Sequence, residues 1–178
     1  MAVDGDGSIQ IQLLRDNMIS NNVTRLLDSK NIAYQAFTLP PEKLGAEESA
    51  KFMNVPLNEV YKSIIVKREK PGKPIIAVTP GDKEVDLKLL AAAIGEKKVF
   101  VPTMVEAEKM TGLKAGGISP LALINRGFQV IIDSSASTYS HIHISGGQLG
   151  LNIRLPVNNL IEITHARLAN ITNKEKDY

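Results

Sequence analysis

The amino-acid sequence predicts an α+β fold in which helices flank a mixed, mostly antiparallel sheet. Its 178 residues, 43% hydrophobic and 22% charged, have the size and composition of one soluble globular domain. Segments with helical and with strand periodicity follow one another without strict alternation, and short glycine-containing turns between strand pairs indicate hairpins. The sequence therefore predicts a single domain over residues 13–173, with a flexible tail at 1–12 and a short tail at 174–178.

The first third of the domain contains two predicted helices and one strand. A helix is expected directly after Asn21, because apolar residues recur at helical spacing behind a residue that can cap. A β-rich run at 34–39 predicts a strand. Residues 46–53 predict a second helix, which should end ahead of Pro56 because a residue that precedes proline disfavours helical backbone.

The middle third opens with a hairpin. Two β-rich runs at 61–67 and 74–79 are separated by a turn that contains proline and glycine. Leucine and alanine between an aspartate and a glycine predict a helix at 87–94. A strand at 97–101 and a helix at 103–110 follow, and the helix begins with the threonine and glutamate spacing of a capping box.

The last third begins with a glycine-rich loop at 114–121. The nearly all-apolar run 128–133 predicts a central strand, and 141–145 and 151–155 alternate as strands joined by a glycine-rich hairpin. A proline at the first turn introduces a helix at 157–163.

Net charge and hydropathy argue against two classes of protein, namely those that bind duplex nucleic acid by charge alone and those with a membrane-spanning helix. The formal net charge is +2, which is too balanced for binding duplex nucleic acid by charge alone and is compatible with a small contact to a nucleic-acid end. No apolar run approaches the ~20 residues of a spanning helix, and the N-terminus lacks a basic stretch followed by an apolar one. We therefore expect a cytoplasmic protein that does not bind membranes.

Two glycine pairs mark loops where a ligand can approach the backbone. Gly116 and Gly117 form one pair, and Gly146 and Gly147 form the other, directly after Ser145. Residues without a Cβ let a ligand reach the main chain, and consecutive N–H groups can bind an oxyanion or a carbonyl oxygen. The alternative is that each pair only joins two elements as a turn.

Lys62 is the lysine in the most unusual position. Alternation along 61–67 places it on the same strand face as Ile64 and Val66. One interpretation is a side chain that extends from the strand end to solvent. The other is a fixed cation at the mouth of a pocket, where it can hold a phosphate or polarise an ester.

His141, His143 and Ser145 share one face of their strand, and Ile142 and Ile144 share the other. Two histidines on one strand face can bind a metal, but no third ligand follows at a supporting distance. We therefore expect no metal site, and we interpret the histidine face as the solvated side of a half-buried strand.

No cofactor is expected either. The glycines at 145–150 precede a second alternating strand, whereas a dinucleotide-binding loop opens a helix. The sequence has no phosphate-binding lysine loop, no Gly-x-Ser-x-Gly turn and no cysteine. Two glycine loops and one lysine, with no obvious side-chain nucleophile, suit hydrolysis of an already activated ester, because positioning and backbone donors lower the barrier.

Three ordered motifs resemble the YbaK family of aminoacyl-tRNA deacylases. They are Tyr-Lys-Ser-Ile-Ile-Val at 61–66, Gly-Gly-Ile-Ser-Pro-Leu at 116–121 and Ser-Gly-Gly-x-x-Gly-Leu at 145–151. This family includes the editing domain inserted in bacterial prolyl-tRNA synthetases and its free-standing relatives. The resemblance covers roughly 23–171 and implies an α+β domain around a partly barrel-like sheet.

The resemblance implies hydrolysis of the ester that joins a wrong amino acid to the 3′-terminal adenosine of a tRNA, chiefly proline tRNA. Lys62 is implied to contact the phosphate or ribose of that adenosine. Gly116 and Gly117 are implied to lie against the scissile carbonyl and the attacking water, and these three are the predicted catalytic residues. The predicted substrate-binding residues are Leu39, Leu44, Ser63, Ile118, Ser119, Ser145, Gly146, Gly147 and Asn152.

The sequence departs from the family pattern at three places that bear on specificity. Leu39 and Leu44 stand where cysteine-removing members have a tyrosine and a phenylalanine, and Asn152 replaces an aspartate. Residues 122–126 replace a Gly-Gln-Lys-Lys segment, so two cations are lost. Alanine or another small residue is therefore an equal candidate to cysteine as the amino acid removed.

Three functions compete at this stage. The leading hypothesis is a free-standing trans-editing deacylase that acts on the acceptor end of a tRNA, with a prolyl-tRNA synthetase as a candidate partner. The alternative is a non-catalytic accessory module that binds aminoacyl-tRNA or a synthetase. A third is hydrolysis of a small acyl ester unrelated to tRNA.

Overall fold

Residues 19–175 of the computed structural model contain five α-helices and ten β-strands, which confirms the predicted α+β class. The tail predicted at 1–12 lies outside the described residues, and so do residues 176–178. The last strand ends at Glu175, whose backbone pairs with Lys83. Residues 174 and 175, which we expected in a tail, therefore belong to a strand.

The helices begin where the sequence supplies caps. They are α1 (Asn22–Ser29), α2 (Ala46–Met53), α3 (Leu87–Ala93), α4 (Met104–Thr111) and α5 (Val157–Thr164). Asn21 and Asp86 accept hydrogen bonds from the first turns of α1 and α3, and Thr103 forms the predicted capping box with Glu106. Within residues 19–175, no helix has the length and apolar character needed to cross a membrane.

The strands form three sheets. They are β1 (Gln35–Thr38), β2 (Tyr61–Arg68), β3 (Ile75–Pro80), β4 (Lys83–Val85), β5 (Val99–Phe100), β6 (Gln129–Asp133), β7 (His141–Ser145), β8 (Leu151–Pro156), β9 (Arg167–Ala169) and β10 (Thr172–Glu175). The strand orders are β5-β2-β3-β6-β9, β1-β8-β7 and β10-β4. Only β3–β6 and β6–β9 pair in parallel, so the described strands are mixed and mostly antiparallel, as predicted.

One parallel bridge between Val60 and His143 links β7 to the residue before β2. Within the described range the three sheets stay open and do not close into a barrel. The barrel-like character that the resemblance implied is therefore partial. The bridge between Val60 and His143 matters for the site, because it brings the β7–β8 hairpin next to the end of β2 that carries Lys62.

Strand β3 lies at the centre of the largest sheet, and all six of its residues are buried. Ile76 and Val78 pack into a core with α1, α5 and the β7–β8 hairpin, whereas Ile75 and Ala77 pack against Leu90 of α3 on the other face. Burying one such aliphatic side chain contributes about 1.5–3 kcal/mol. Cores pack against both faces of this sheet, and the first residues of β2, Tyr61 and Lys62, pair with Pro80 and Thr79 at the end of β3.

Candidate active site

A cavity of about 360 Å³ opens where β2 begins. Its walls are the loop between β1 and α2, the glycine loop around Gly116 and the β7–β8 hairpin. The size is within the range of small-molecule sites, which are usually about 300–1,000 Å³. Eight of the twelve predicted site residues line it, and they are Leu39, Leu44, Lys62, Ser63, Gly116, Ile118, Ser145 and Asn152.

Lys62 contributes a cation to this cavity. The residue is the second of β2, and its Nζ lies 3.2 Å from Oε1 of Glu84. The Lys62 side chain is 19% exposed, whereas that of Glu84 is 59% exposed. An ion pair with an exposed carboxylate contributes about 0–1 kcal/mol, so an incoming phosphate can compete for the ammonium group. The contact with a terminal adenosine remains a prediction.

Gly116 forms the opposite wall and adopts a positive φ of +90°. A Cβ at this position would lie 3.1 Å from Cδ2 of Leu149 and 3.5 Å from Cα of Lys43, so glycine fits both the backbone and the space. The Gly116 carbonyl accepts a hydrogen bond from Oγ of Ser145 at 3.2 Å. This bond joins the two glycine loops directly across the cavity wall.

Gly117 and Ser119 lie behind the wall. The Gly117 N–H donates to the Lys114 carbonyl at 2.8 Å, and a Cβ at Gly117 would come within 3.0 Å of Cα of Gln148. Ser119 is fully buried, and its Oγ accepts from the Leu121 N–H at 3.2 Å. Both residues shape the loop. The catalytic role predicted for Gly117 and the substrate contact predicted for Ser119 stay predictions.

The second glycine pair also lies outside the cavity lining and holds the β7–β8 hairpin against α1. The Gly146 carbonyl accepts from Nδ2 of Asn21, the residue that caps α1, at 2.8 Å. Gly147 has a φ of +90°, and a Cβ there would lie 2.8 Å from Cγ2 of Val23. Glycine is therefore required for the close approach, which positions Ser145 at the cavity.

The histidine face of β7 is covered, so its interpretation as a solvated face was wrong at His143. This residue is only 2% exposed, and its ring lies 5.2 Å from the ring of Phe37 on β1. Alternation distinguishes the two faces of a strand, but it does not reveal that β1 and β8 bring side chains over the second face. His141 and Ser145 keep partial exposure.

His143 orients a cavity residue. Its Nδ1 lies 3.0 Å from Oδ1 of Asn152, and burial lowers the pKa of the imidazole below its ordinary value. The ring is therefore neutral at neutral pH, and because an amide oxygen only accepts, the proton is on Nδ1. This bond turns the amide NH₂ group of Asn152 away from His143. Asn152 was predicted from the sequence as a site residue, whereas the role of His143 as its partner was not.

The cavity lining contains four further polar residues that were not selected from the sequence, and they are Glu42, Lys43, Ser49 and Tyr61. The Tyr61 hydroxyl lies 2.8 Å from Oγ of Ser135, and burial raises the pKa of the phenol, so it stays neutral. Lys43 adds a second cation at the rim. Its position between Leu39 and Leu44 was the signal available, since both leucines were already placed in the pocket.

The arrangement suits ester hydrolysis by water. One wall carries an ammonium group, another carries glycine backbone, and serine and amide side chains lie between them. Among residues 19–175, no three histidine, aspartate or glutamate side chains lie close enough together to share a metal ion. Charge and hydrogen bonds at fixed positions can stabilise a developing oxyanion without a protein nucleophile.

The comparison with protein families agrees with this chemistry. The model of the aminoacyl-tRNA editing domain matches residues 40–163, which include Lys62, Gly116 and Ser145. The chain belongs to this family. Membership in the aminoacyl-tRNA editing family confirms the predicted class of enzyme, an aminoacyl-tRNA deacylase.

Relatives of this editing domain are found alone and within synthetases. EbsC of Enterococcus faecalis, provisionally named Cys-tRNA(Pro)/Cys-tRNA(Cys) deacylase, is 32% identical over 156 residues, which cover 86% of this chain and 94% of EbsC. The proline–tRNA ligase of Thermosipho africanus is 30% identical over 81 residues, which cover 46% of this chain and 14% of the ligase.

Solved structures share the fold of the editing domain. The crystal structure of hypothetical protein APE2540 has a TM-score of 0.78 and 22% identity, and the match covers 86% of this chain and 100% of that one. A protein provisionally described as a trans-editing enzyme for prolyl tRNA synthetase has a TM-score of 0.72 and 20% identity, with 88% and 100% covered. At these identities the likeness establishes the fold.

Proposed function

We propose that this editing domain acts as a free-standing enzyme that removes a small, wrong amino acid from proline tRNA. The observation that carries the proposal is the convergence of Lys62, Gly116 and Ser145 on one cavity. The name of EbsC and the similarity to proline–tRNA ligases support proline tRNA as the substrate. A prolyl-tRNA synthetase is then the source of the mischarged tRNA, and the cytoplasm is the place of action.

Substrate binding begins with charge. The terminal adenosine is linked to the preceding nucleotide by a phosphate, and Lys62 offers the ammonium group that binds it or the ribose. Glu84 occupies this group at 3.2 Å in the described structure, and its exposure lets it withdraw when the phosphate arrives. Lys62 then fixes the ribose end of the ester relative to Gly116.

The reaction needs a water molecule and no covalent enzyme intermediate. The water oxygen attacks the ester carbonyl carbon, and the carbonyl oxygen becomes an oxyanion. The attacking water gives up a proton as the intermediate forms. When the intermediate collapses, the bond to the ribose oxygen breaks, that oxygen takes up the proton that the water released, and the amino acid leaves. Because the Gly117 N–H is engaged by the Lys114 carbonyl at 2.8 Å, we assign the backbone contact with the reacting group to Gly116.

Specificity follows from the walls around the amino acid. Leu39 and Leu44 provide apolar surface, and Asn152 provides an amide held by His143. An apolar wall discriminates one methylene by about 1–3 kcal/mol, so it separates small side chains from large ones better than small ones from each other. Alanine and cysteine therefore remain equal candidates.

The test is deacylation of proline tRNA charged in turn with alanine, cysteine, serine and proline. We expect release of one wrong amino acid and protection of proline. Lys62→Ala should lower kcat/KM about 10- to 150-fold, the range for losing one hydrogen bond to a charged group. The matched control is Lys51→Ala, an exposed lysine on α2 paired with Glu47 at 3.5 Å. Full activity of Lys62→Ala, or no release across the panel, would contradict the proposal.

A further inference from the structure

A strip of exposed apolar side chains leads away from the cavity. Among the described residues, four of the five large hydrophobic side chains that are exposed lie within residues 100–105. Phe100 is 39% exposed, Val101 52%, Met104 51% and Val105 67%. Exposed apolar residues that cluster in this way mark interaction sites more often than isolated ones do. We call Phe100, Val101, Met104 and Val105 the apolar strip.

The apolar strip is continuous with the cavity rim. At its near end, Sδ of Met104 lies 3.5 Å from Nζ of Lys43, which lines the cavity beside Gly116. At its far end, Phe100 pairs with Lys67 on β2, the strand that also carries Lys62. Because strand residues rise about 3.3 Å each, Lys67 lies about 17 Å along the strand from Lys62.

Lysines surround the apolar strip. Nζ of Lys98 lies 5.0 Å from the centre of the Phe100 ring, and Lys43, Lys67 and Lys98 are all exposed. The two carboxylates on α4 are engaged by backbone N–H groups, Glu106 by Thr103 and Glu108 by Ala115, at 3.1 and 3.0 Å. The strip therefore combines apolar surface with three exposed lysines, while the two carboxylates on α4 already accept backbone hydrogen bonds.

We propose that the apolar strip and its flanking lysines bind the single-stranded nucleotides that precede the terminal adenosine of the tRNA. Bases stack on aromatic and apolar side chains while phosphates bind lysines, which is how proteins bind single strands. Stacked nucleotides are about 3.4 Å apart, so about 17 Å is long enough for the three nucleotides that precede the terminal adenosine in an ACCA end. A protein partner fits the strip less well, because the cores of protein interfaces are depleted in lysine.

This inference rests on the proposed function, because it extends the site for the same substrate. It also offers other cations for the acceptor end in place of the two that are lost where residues 122–126 replace the Gly-Gln-Lys-Lys segment. Residues 122–126 contribute Leu123, which is buried, to the core. The inference assigns the contact to Lys43, Lys67 and Lys98 on a different surface.

The kinetic test compares two substrates that carry the same amino acid, the one released fastest from proline tRNA. One is the full aminoacyl-tRNA, and the other is the 3′-aminoacyl-adenosine, which lacks the preceding nucleotides. We expect Phe100→Ala to raise KM for the tRNA by about tenfold through the loss of one stacked base, with kcat/KM for the adenosine ester as in the wild type. Phe52→Ala, which removes another exposed ring, is the control.

A binding measurement keeps this inference separate from the proposed function. Fluorescence anisotropy with an uncharged RNA hairpin that ends in single-stranded ACCA does not depend on turnover. Phe100→Ala should weaken binding of the RNA. Lys98→Gln should make the dependence of log K on log salt shallower, with the magnitude of the slope reduced by about 0.7. The inference would be overturned by unchanged RNA binding in both variants, or by equal losses of activity on both ester substrates. It would also be overturned if the variants affected only the capture of a synthetase. If the wild type binds the RNA and hydrolyses neither ester, only the proposed function fails.

Discussion

At the scale of single residues, His143 couples the stability of the domain to pH. Burial is the main cause of its lowered pKa. The hydrogen bond with Asn152 is the next largest effect and raises the pKa, Arg154 lowers it, and Glu59 raises it slightly. Between the folded-state pKa and the ordinary value of 6.5, the unfolded chain binds more protons than the folded chain. The contribution of His143 to the stability of the folded state is therefore complete above about pH 6.5, and it is lost as the pH falls through the folded-state pKa.

We expect the free energy of unfolding to decrease from pH 7 to pH 5 in the wild type and to decrease less in His143→Gln. Glutamine can still donate to Oδ1 of Asn152 and has no titratable group. His141→Gln is the control, because His141 also has a pKa lowered by burial and by Arg154 but remains partly exposed. Urea unfolding at three pH values measures the difference. Equal pH dependence in the wild type and His143→Gln would exclude this role.

The sequence singled out a residue whose type was out of place, but it did not reveal an environment that a distant neighbour decides. Lys62 was conspicuous because a lysine lay on an apolar strand face, and the structure does bring it to a cavity. His143 was interpreted as one of two solvated histidines. In the structure it is covered by Phe37, which lies on a strand more than one hundred residues earlier in the chain. Period-two alternation carries no information about such a partner.

At the scale of elements, Asn21 joins a helix to the site. Its Oδ1 caps α1 by accepting from the Thr24 N–H at 3.0 Å, and its Nδ2 donates to the Gly146 carbonyl at 2.8 Å. Asn21→Ala should lower the free energy of unfolding by about 2–3 kcal/mol, from the cap and the two hydrogen bonds that Nδ2 donates to Gly146 and Gln148. The control is Asn22→Ala, since Asn22 is exposed and accepts only from Arg25 in the described contacts.

The same substitution should also raise KM for aminoacyl-tRNA, because the hairpin that carries Ser145 loses its anchor on α1. Urea unfolding and deacylation kinetics on the two variants provide both readouts. A stability loss in Asn21→Ala no larger than that in Asn22→Ala would show that the anchor is unimportant.

Helices were readable from the sequence because their signals are local. Asp86 and Thr103 lie within three residues of the N–H groups they cap. Helix α3 begins at the predicted residue, and α4 begins one residue later than predicted. Strands β4, β9 and β10 were missed, because they have three or four residues and find their partners far away in the chain. Such short segments carry too few residues to show a period.

At the scale of the whole molecule, Asp133 ties the end of the chain to the central sheet. The carboxylate is 2% exposed, and Oδ1 accepts from the Ile171 N–H at 3.0 Å and from the Thr172 hydroxyl at 3.1 Å. Oδ2 accepts from the Ser135 N–H at 3.2 Å. One buried side chain thus satisfies three donors from two separate segments.

Asp133→Ala should destabilise the domain by about 3–5 kcal/mol, because it leaves buried donors without an acceptor. Thr172→Val removes one of the three hydrogen bonds and should cost about 1–2 kcal/mol. Urea unfolding followed by circular dichroism ranks the two variants. If Thr172→Val is as destabilising as Asp133→Ala, the carboxylate is not the centre of the network.

The assembly of the cavity was predictable only in part. The resemblance named residues from four separate segments, and eight of twelve do line one cavity. The other four, Gly117, Ser119, Gly146 and Gly147, share the same motifs and support the loops from behind. A motif records which residues a loop requires, and it does not separate those that face a ligand from those that let the loop fold.

The hydrogen bond from Ser145 to Gly116 joins two of the three segments that form the cavity walls. It couples the two loops that carry glycine backbone, while Leu39 and Leu44 belong to a third segment that runs between β1 and α2. The backbone of that segment is nevertheless tied to the β7–β8 hairpin, since the Leu39 N–H donates to the Gly150 carbonyl at 2.8 Å. If Leu39 and Leu44 contact the amino acid as proposed, exchange of these two side chains, with the segment's backbone kept, would let the range of removed amino acids drift within a lineage while the ability to cleave the ester is inherited.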